Sequence, residues 1–192
     1  DWAMYALLMP ALLFMMATIL ICGFELVEVI WARNWLRRFM PLAPRKDVAS
    51  QPFVSIHLPC YNEPPEMVKL TLDSVAKLEY GNFEVLVIDN NTKDPSVWQP
   101  VEAYVSHLGP KFRFIHLDTW PGFKAGALNY ALTQTDPRAE VIGVVDADYV
   151  VSPDWLSRLV GHFDAPRVAV VQAPQAHRDF KQNAFRRMCN WE

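Results

Sequence analysis

From Trp2 to Phe24 the chain carries no charged side chain, and that run limits the possible fold more than any other feature. At about 1.5 Å per residue it is long enough, as a helix, to cross a hydrocarbon core about 30 Å thick. A buried core helix and a cleaved signal peptide are the alternatives. A signal peptide has basic residues ahead of a shorter apolar stretch and a small-residue cleavage site behind it. This chain instead opens with Asp1 and runs on into Phe24, Glu25 and Leu26. Residues 1–30 are therefore read as a transmembrane helix in a lipid membrane, with a kink expected at Pro10 that neighbouring helices can accommodate.

Arg33, Arg37, Arg38, Arg45 and Lys46 all follow the span and no basic residue precedes it. By the positive-inside rule the rest of the chain faces the cytoplasm of a cell membrane, unless these residues are only a solvated helix face. Residues 31–52 read as a juxtamembrane linker. Trp31 to Phe39 alternates aromatic and basic residues, which suits Trp31 and Trp35 to headgroup level, and Pro41, Pro44 and Pro52 then punctuate the chain. The net charge of −3 supplies no basic field for nucleic acid. Cys22, Cys60 and Cys189 are an odd set without a C-x-x-C pair, which reads as reduced thiols with neither a zinc site nor a disulfide frame.

From Phe53 short apolar runs alternate with longer amphipathic ones. Phe53–Leu58, Phe83–Asp89, Phe112–Leu117, Val141–Asp146 and Val168–Ala173 read as strands. Glu66–Lys77, Val97–Leu108, Phe123–Leu132 and Pro153–His162 have helical spacing, opening on proline or on a capping residue such as Ser152. This alternation implies an α/β fold with a mostly parallel sheet covered on both faces. Ligands of such sheets bind where strands end, so the loops after the strands are the place to look.

Those loops hold polar residues that packing does not explain. Asp146-Ala147-Asp148 ends an apolar strand, and in extended chain residues i and i+2 point the same way. Two carboxylates facing one partner suit a hard divalent cation, Mg²⁺ or Mn²⁺, with positions left open for phosphate oxygens. A lone D-x-D is more often turn and cap chemistry, so its context matters. Upstream, Gly122-Phe123-Lys124-Ala125-Gly126-Ala127-Leu128-Asn129 opens a helix, where small residues let the backbone and Lys124 approach an anion. Taken alone, Lys124 would be a solvated lysine and the glycines packing residues. No Walker loop or G-x-G-x-x-G is present.

In order, Pro-Cys-Tyr-Asn-Glu at 59–63, Val-Leu-Val-Ile-Asp at 85–89, the Gly-Phe-Lys-Ala-Gly-Ala-Leu-Asn segment and Asp-Ala-Asp at 146–148 resemble the family 2 glycosyltransferases of GT-A fold. The likeness extends from Phe53 to about Asn190. The preceding span and Val-Gln-Ala-Pro-Gln at 171–175 look more like the cellulose synthase-like and bacterial β-glucan synthase branch. The resemblance implies an inverting enzyme that moves a hexose, with glucose the expected one, from a UDP-sugar to a growing polysaccharide. It places Tyr61 and Glu63 against the nucleoside and gives Asp89 a hydrogen bond to uracil or ribose. It also puts Lys124 on the diphosphate and Asp146 and Asp148 on the metal, with Asp148 the direct ligand. In one departure from many relatives, Asn90 and Asn91 follow Asp89. Relatives take the acceptor proton with the aspartate of a Thr-Glu-Asp motif and grip the acceptor with Gln-x-x-Arg-Trp. Neither motif occurs before Glu192, so residues 53–192 are expected to be the donor-binding part of a longer domain, inactive alone.

Two rivals remain at this stage. A nucleotidyltransferase also uses a lysine and metal-binding aspartates, but would carry a glycine-rich loop after the first strand, where Cys60-Tyr61-Asn62-Glu63-Pro64-Pro65 stands. A non-catalytic, membrane-tethered nucleotide-binding module is the second. Cys60 reads as a buried thiol rather than a nucleophile, with no histidine evidently paired to it. His57, His107, His116, His162 and His177 lack ligand spacing, and Asp154 and Asp164 read as helix-end residues.

Overall fold

The computed structural model describes residues 2–34 and 51–173, and the chain divides into two compact units, Asp1–Ala43 and Pro44–Glu192. The first holds one helix, α1, over Trp2–Asn34, running without a break through Pro10. Within it Met4–Val27 has a mean hydropathy of 2.4 and is long and apolar enough to cross a membrane. Of the expected aromatic and basic interface at Trp31–Phe39, the part from Trp35 on, like Arg45 and Lys46, lies outside the described residues.

The second unit is built on a four-stranded parallel sheet in the order β3-β2-β1-β4. Its strands are β1 (Phe53–Cys60), β2 (Phe83–Asn90), β3 (Phe112–Leu117) and β4 (Ala139–Val144). The helices α2 (Pro65–Ala76), α3 (Pro95–His107), α4 (Phe123–Gln134) and α5 (Trp155–Leu159) connect or follow them, the last continuing as a 3₁₀ turn over Val160–Asp164. Every residue of β1 and β2 is buried, as expected of central parallel strands covered on both sides. On one face Ile56, Leu58, Val85 and Val87 meet Leu72 and Val75 of α2, Val105 of α3 and Leu156 of α5. On the other, Leu86 and Ile88 pack on Ala127 and Ala131 of α4. Small residues there let α4 lie close to the sheet.

Ser55, Glu84 and His57, polar groups buried on this second face, are paired, as burial demands. Ser55 Oγ donates to Glu84 at 2.8 Å, and His57 Nε2 lies 3.0 Å from Thr135 Oγ1. Burial lowers the His57 pKa, opposed by the Glu84 charge.

Three expectations need correction. No strand forms at Val168–Ala173, which is irregular backbone; an apolar run is no strand without a neighbour to complete its ladder. β4 stops at Val144, two residues short of Asp146. The last helix starts at Trp155, with Asp154 rather than Ser152 at the N-cap position, and tightens into 3₁₀ geometry at Val160. Asp154 is thus a helix-end residue, as read.

From β1 the chain adds β2 and β3 on one side and then crosses to place β4 on the other. The order therefore reverses between β1 and β4, and at such a switch point the carboxyl ends of the strands leave a crevice.

Candidate functional site: a cleft at the switch point

That crevice is a cleft of about 400 Å³. Its lining comes from the ends of three strands and the start of α4: Tyr61 and Glu63 after β1, Asn90 and Asn91 at β2, Phe123 and Lys124 opening α4, and Asp146 and Asp148 after β4. Five of the six residues singled out from the sequence, Tyr61, Glu63, Lys124, Asp146 and Asp148, are brought together here. Asp89 is not among them.

Asp89 is 3% exposed. One carboxylate oxygen accepts from Thr92 Oγ1 at 2.6 Å and the other from His116 Nδ1 at 2.8 Å. Thr92 in turn accepts from the backbone N–H of Asn62 at 2.8 Å, so Asp89 ties the Tyr61–Glu63 loop to the end of β2. Burial raises its carboxyl above the ordinary range, with the Thr92 and His116 bonds opposing. The His116 ring is stacked on Trp98, centroids 4.2 Å apart. Cys60 is buried, and desolvation first, then the Asp89 and Glu63 charges, push its thiol up, which fits an inert thiol rather than a nucleophile.

Asn90 and Asn91, the departure noted in the sequence, hold the Trp120–Phe123 loop. Asn90 Nδ2 donates to the Phe123 carbonyl at 2.9 Å. Asn91 Nδ2 donates to the Trp120 carbonyl at 2.9 Å, and its Oδ1 accepts from Trp120 N–H at 2.7 Å. Asn91 has φ 66°, a left-handed conformation that asparagine tolerates better than most residues. Sequence reasoning missed both; two asparagines directly after a strand were the available signal.

The loop they hold is tightly built. Gly122 and Phe123 both have positive φ, 86° and 51°, and a left-handed backbone at an aromatic residue is the kind of local strain that collects at functional sites. Phe123 is 83% exposed. A Cβ on Gly126 would lie 1.8 Å from the Pro121 carbonyl oxygen, which explains the second glycine of the segment. This turn aims the first turn of α4, whose free backbone N–H groups and dipole favour an anion, into the cleft. Lys124 stands in that turn with its ammonium on Asp146 Oδ1.

The two aspartates reach the cleft by a different local geometry from the one expected. Past β4 the chain turns, with Tyr149 N–H donating to the Asp146 carbonyl at 3.1 Å, so alternation along a strand does not orient them. Ala147 between them is buried and Asp148 is exposed. Among the described residues no three His, Cys, Asp or Glu side chains gather as a metal cluster. The pair nevertheless suits a hard cation that takes its remaining ligands from phosphate oxygens and water.

The profile described as Glycosyl transferase family 2 matches residues 55–191. Beta-monoglucosyldiacylglycerol synthase of Nostoc sp. is 31% identical over 89% of this chain and 35% of its own length. The cellulose synthase catalytic subunit [UDP-forming] of Pseudomonas fluorescens is 29% identical over 79% of this chain and 19% of its own. The chain thus spans about a third or less of these relatives. Among solved structures, a mannosyltransferase of Pyrobaculum calidifontis in complex with GDP-Man and Mn²⁺ aligns with TM-score 0.63 and 28% identity over 83% of this chain and 46% of that one. The parallel sheet, the flanking helices and the profile over most of the second unit lead to one conclusion: the chain belongs to glycosyltransferase family 2, with a GT-A-like fold.

Proposed function

We propose that this chain carries the donor site of a membrane-anchored, inverting glycosyltransferase that moves a hexose, glucose in our reading, from a UDP-sugar to a growing polysaccharide. The observation that carries the proposal is the convergence of Lys124, the α4 N-terminus, Asp146 and Asp148 on one cleft that Tyr61 and Glu63 also line.

In this reading Tyr61 and Glu63 hold the nucleoside, and the backbone of the α4 turn and Lys124 hold the diphosphate. Asp146 and Asp148, the latter as direct ligand, would hold Mg²⁺ or Mn²⁺, a group that neutralises negative charge on the leaving diphosphate. The Mn²⁺ in the Pyrobaculum calidifontis mannosyltransferase complex supports a divalent ion. Asp89 serves the nucleoside through the Tyr61–Glu63 loop, which it anchors by way of Thr92. The span in α1 anchors the chain in a membrane, with residues 53–192 on its cytoplasmic side.

Membranes carrying this chain within the longer catalytic domain expected from its sequence, supplied with radiolabelled UDP-glucose, GDP-mannose or a nucleoside triphosphate, test this reading. UDP-glucose should be consumed in a metal-dependent way, with label entering polymer. Label in a glycolipid would assign the acceptor named for the Nostoc relative. Consumption of the triphosphate in preference to both sugars would overturn the proposal in favour of nucleotidyl transfer.

A further inference from the structure

The ammonium of Lys124 and a divalent cation need the same atom. Lys124 sits on Asp146 Oδ1, and Asp146 is one of three carboxylates that line the cleft, with Glu63 and Asp148. Neither partner of the pair is deeply buried; the side chains are 55% and 35% exposed. The contact is therefore exchangeable rather than a fixed strut. Lys124 also stands in the first turn of α4, where the helix dipole disfavours a cation and favours an anion. Two charges compensate that position, the Asp146 carboxylate within the protein and a phosphate from outside.

Resting on the donor-site reading above, we propose that Lys124 couples the two ligands of the cleft: its hold on Asp146 keeps metal affinity low until a diphosphate draws the ammonium away. The exchange conserves charge pairing throughout. As the diphosphate enters, Lys124 passes from carboxylate to phosphate, and the freed Oδ1 becomes available to the cation that the same diphosphate carries. Asp148 alone is a weak ligand for a hard divalent ion, which prefers several oxygens at once. Metal and nucleotide are then taken up together, and the protein does not collect metal in the absence of donor. By linkage, the factor by which UDP tightens Mn²⁺ equals the factor by which Mn²⁺ tightens UDP.

The experiment is a Mn²⁺ titration of the detergent-solubilised chain, read by the electron paramagnetic resonance signal of free Mn²⁺, with and without UDP. An exposed ion pair is worth up to about fivefold in an equilibrium, and removing a positive charge beside a divalent ion adds to that. Lys124→Met should therefore bind Mn²⁺ alone roughly five- to tenfold more tightly than the parent, and UDP should enhance that binding less. Lys124→Arg, which keeps the charge, should stay near the parent. Lys93→Met, whose ion pair with Asp118 lies outside the cleft lining, should also match the parent. Unchanged Mn²⁺ affinity in Lys124→Met, or an equal gain in Lys93→Met, overturns the coupling while leaving the donor site standing. If UDP fails to tighten Mn²⁺ in the parent and in every variant, the donor-site reading itself is wrong.

Discussion

Replacing Gly126 by alanine adds one methyl group, and the structure says where it must go. The new Cβ falls 1.8 Å from the Pro121 carbonyl oxygen and 2.9 Å from its carbon, in the first case little more than half the separation a carbon–oxygen contact needs. Both clashing atoms are backbone, so no side-chain rotation relieves them. Either α4 shifts along the sheet, against the buried Ala127 and Ala131, or the Trp120–Gly122 turn moves outward. The second route breaks the bond from Trp120 Nε1 to the Gly126 carbonyl and strains the Asn91 clamp. Overpacking of this severity costs about 3 kcal/mol, or on the order of 10 °C in Tm for a domain of this size. Because the turn also aims Lys124, UDP affinity should fall by at least about tenfold, the worth of one charge-assisted hydrogen bond. Thermal melts and calorimetric UDP titration measure the two effects. Gly81→Ala is the control, since its Cβ would meet only the Gln51 side chain at 3.8 Å. A Gly126→Ala protein with the parent's Tm and UDP affinity would refute the geometry of the turn.

Three further outcomes follow from the same structure. Tyr61→Ala should weaken uridine and UDP alike by about tenfold, the scale of one base–aromatic stack, with or without EDTA; a loss confined to UDP would remove Tyr61 from the nucleoside. Asn91→Gly keeps the left-handed backbone but deletes both bonds to Trp120, so a urea titration should show a loss of about 2 kcal/mol, and no loss would mean the clamp is idle. The raised Asp89 carboxyl has a defined pH signature. A folded-state pKa above the ordinary 3.8 contributes stability below that value and loses it as pH rises through the folded-state pKa. The urea midpoint of Asp89→Asn should therefore improve relative to the parent's as pH rises above the ordinary carboxyl value of 3.8, and a constant difference would contradict the burial argument.

Much of this was legible in the sequence because it depends on local pattern. The apolar β1 and β2 segments, the helices read from Glu66 and Val97, which begin one and two residues earlier at Pro65 and Pro95, and the Gly122–Lys124 turn all announce themselves within a few residues. What could not be read depends on neighbours distant in the chain. Val168–Ala173 has the composition of a strand, but strand formation needs a partner. Asp89 lies one residue short of the end of its strand, which runs on to Asn90, and its direction is set by Thr92 and by His116 on the adjacent strand. Asp146 and Asp148 do share the cleft, but through a turn rather than through strand alternation. Asn90 and Asn91 were visible only as a departure, since their role is to hold a loop some thirty residues away in sequence, a span that includes the Asn91–Trp120 bonds.

The central claim, that this cleft binds a nucleoside diphosphate through a metal held by the two aspartates, is tested most directly by isothermal titration of UDP into the intact chain in Mn²⁺ and in EDTA. The measurement is made on the parent and on the Asp146→Asn, Asp148→Asn double variant, which keeps side-chain size and removes both charges. The parent should bind UDP much more tightly in Mn²⁺ than in EDTA, while the variant should bind with the same weaker affinity in both. Equal metal enhancement in parent and variant, or no UDP binding by the parent in either buffer, would contradict the account.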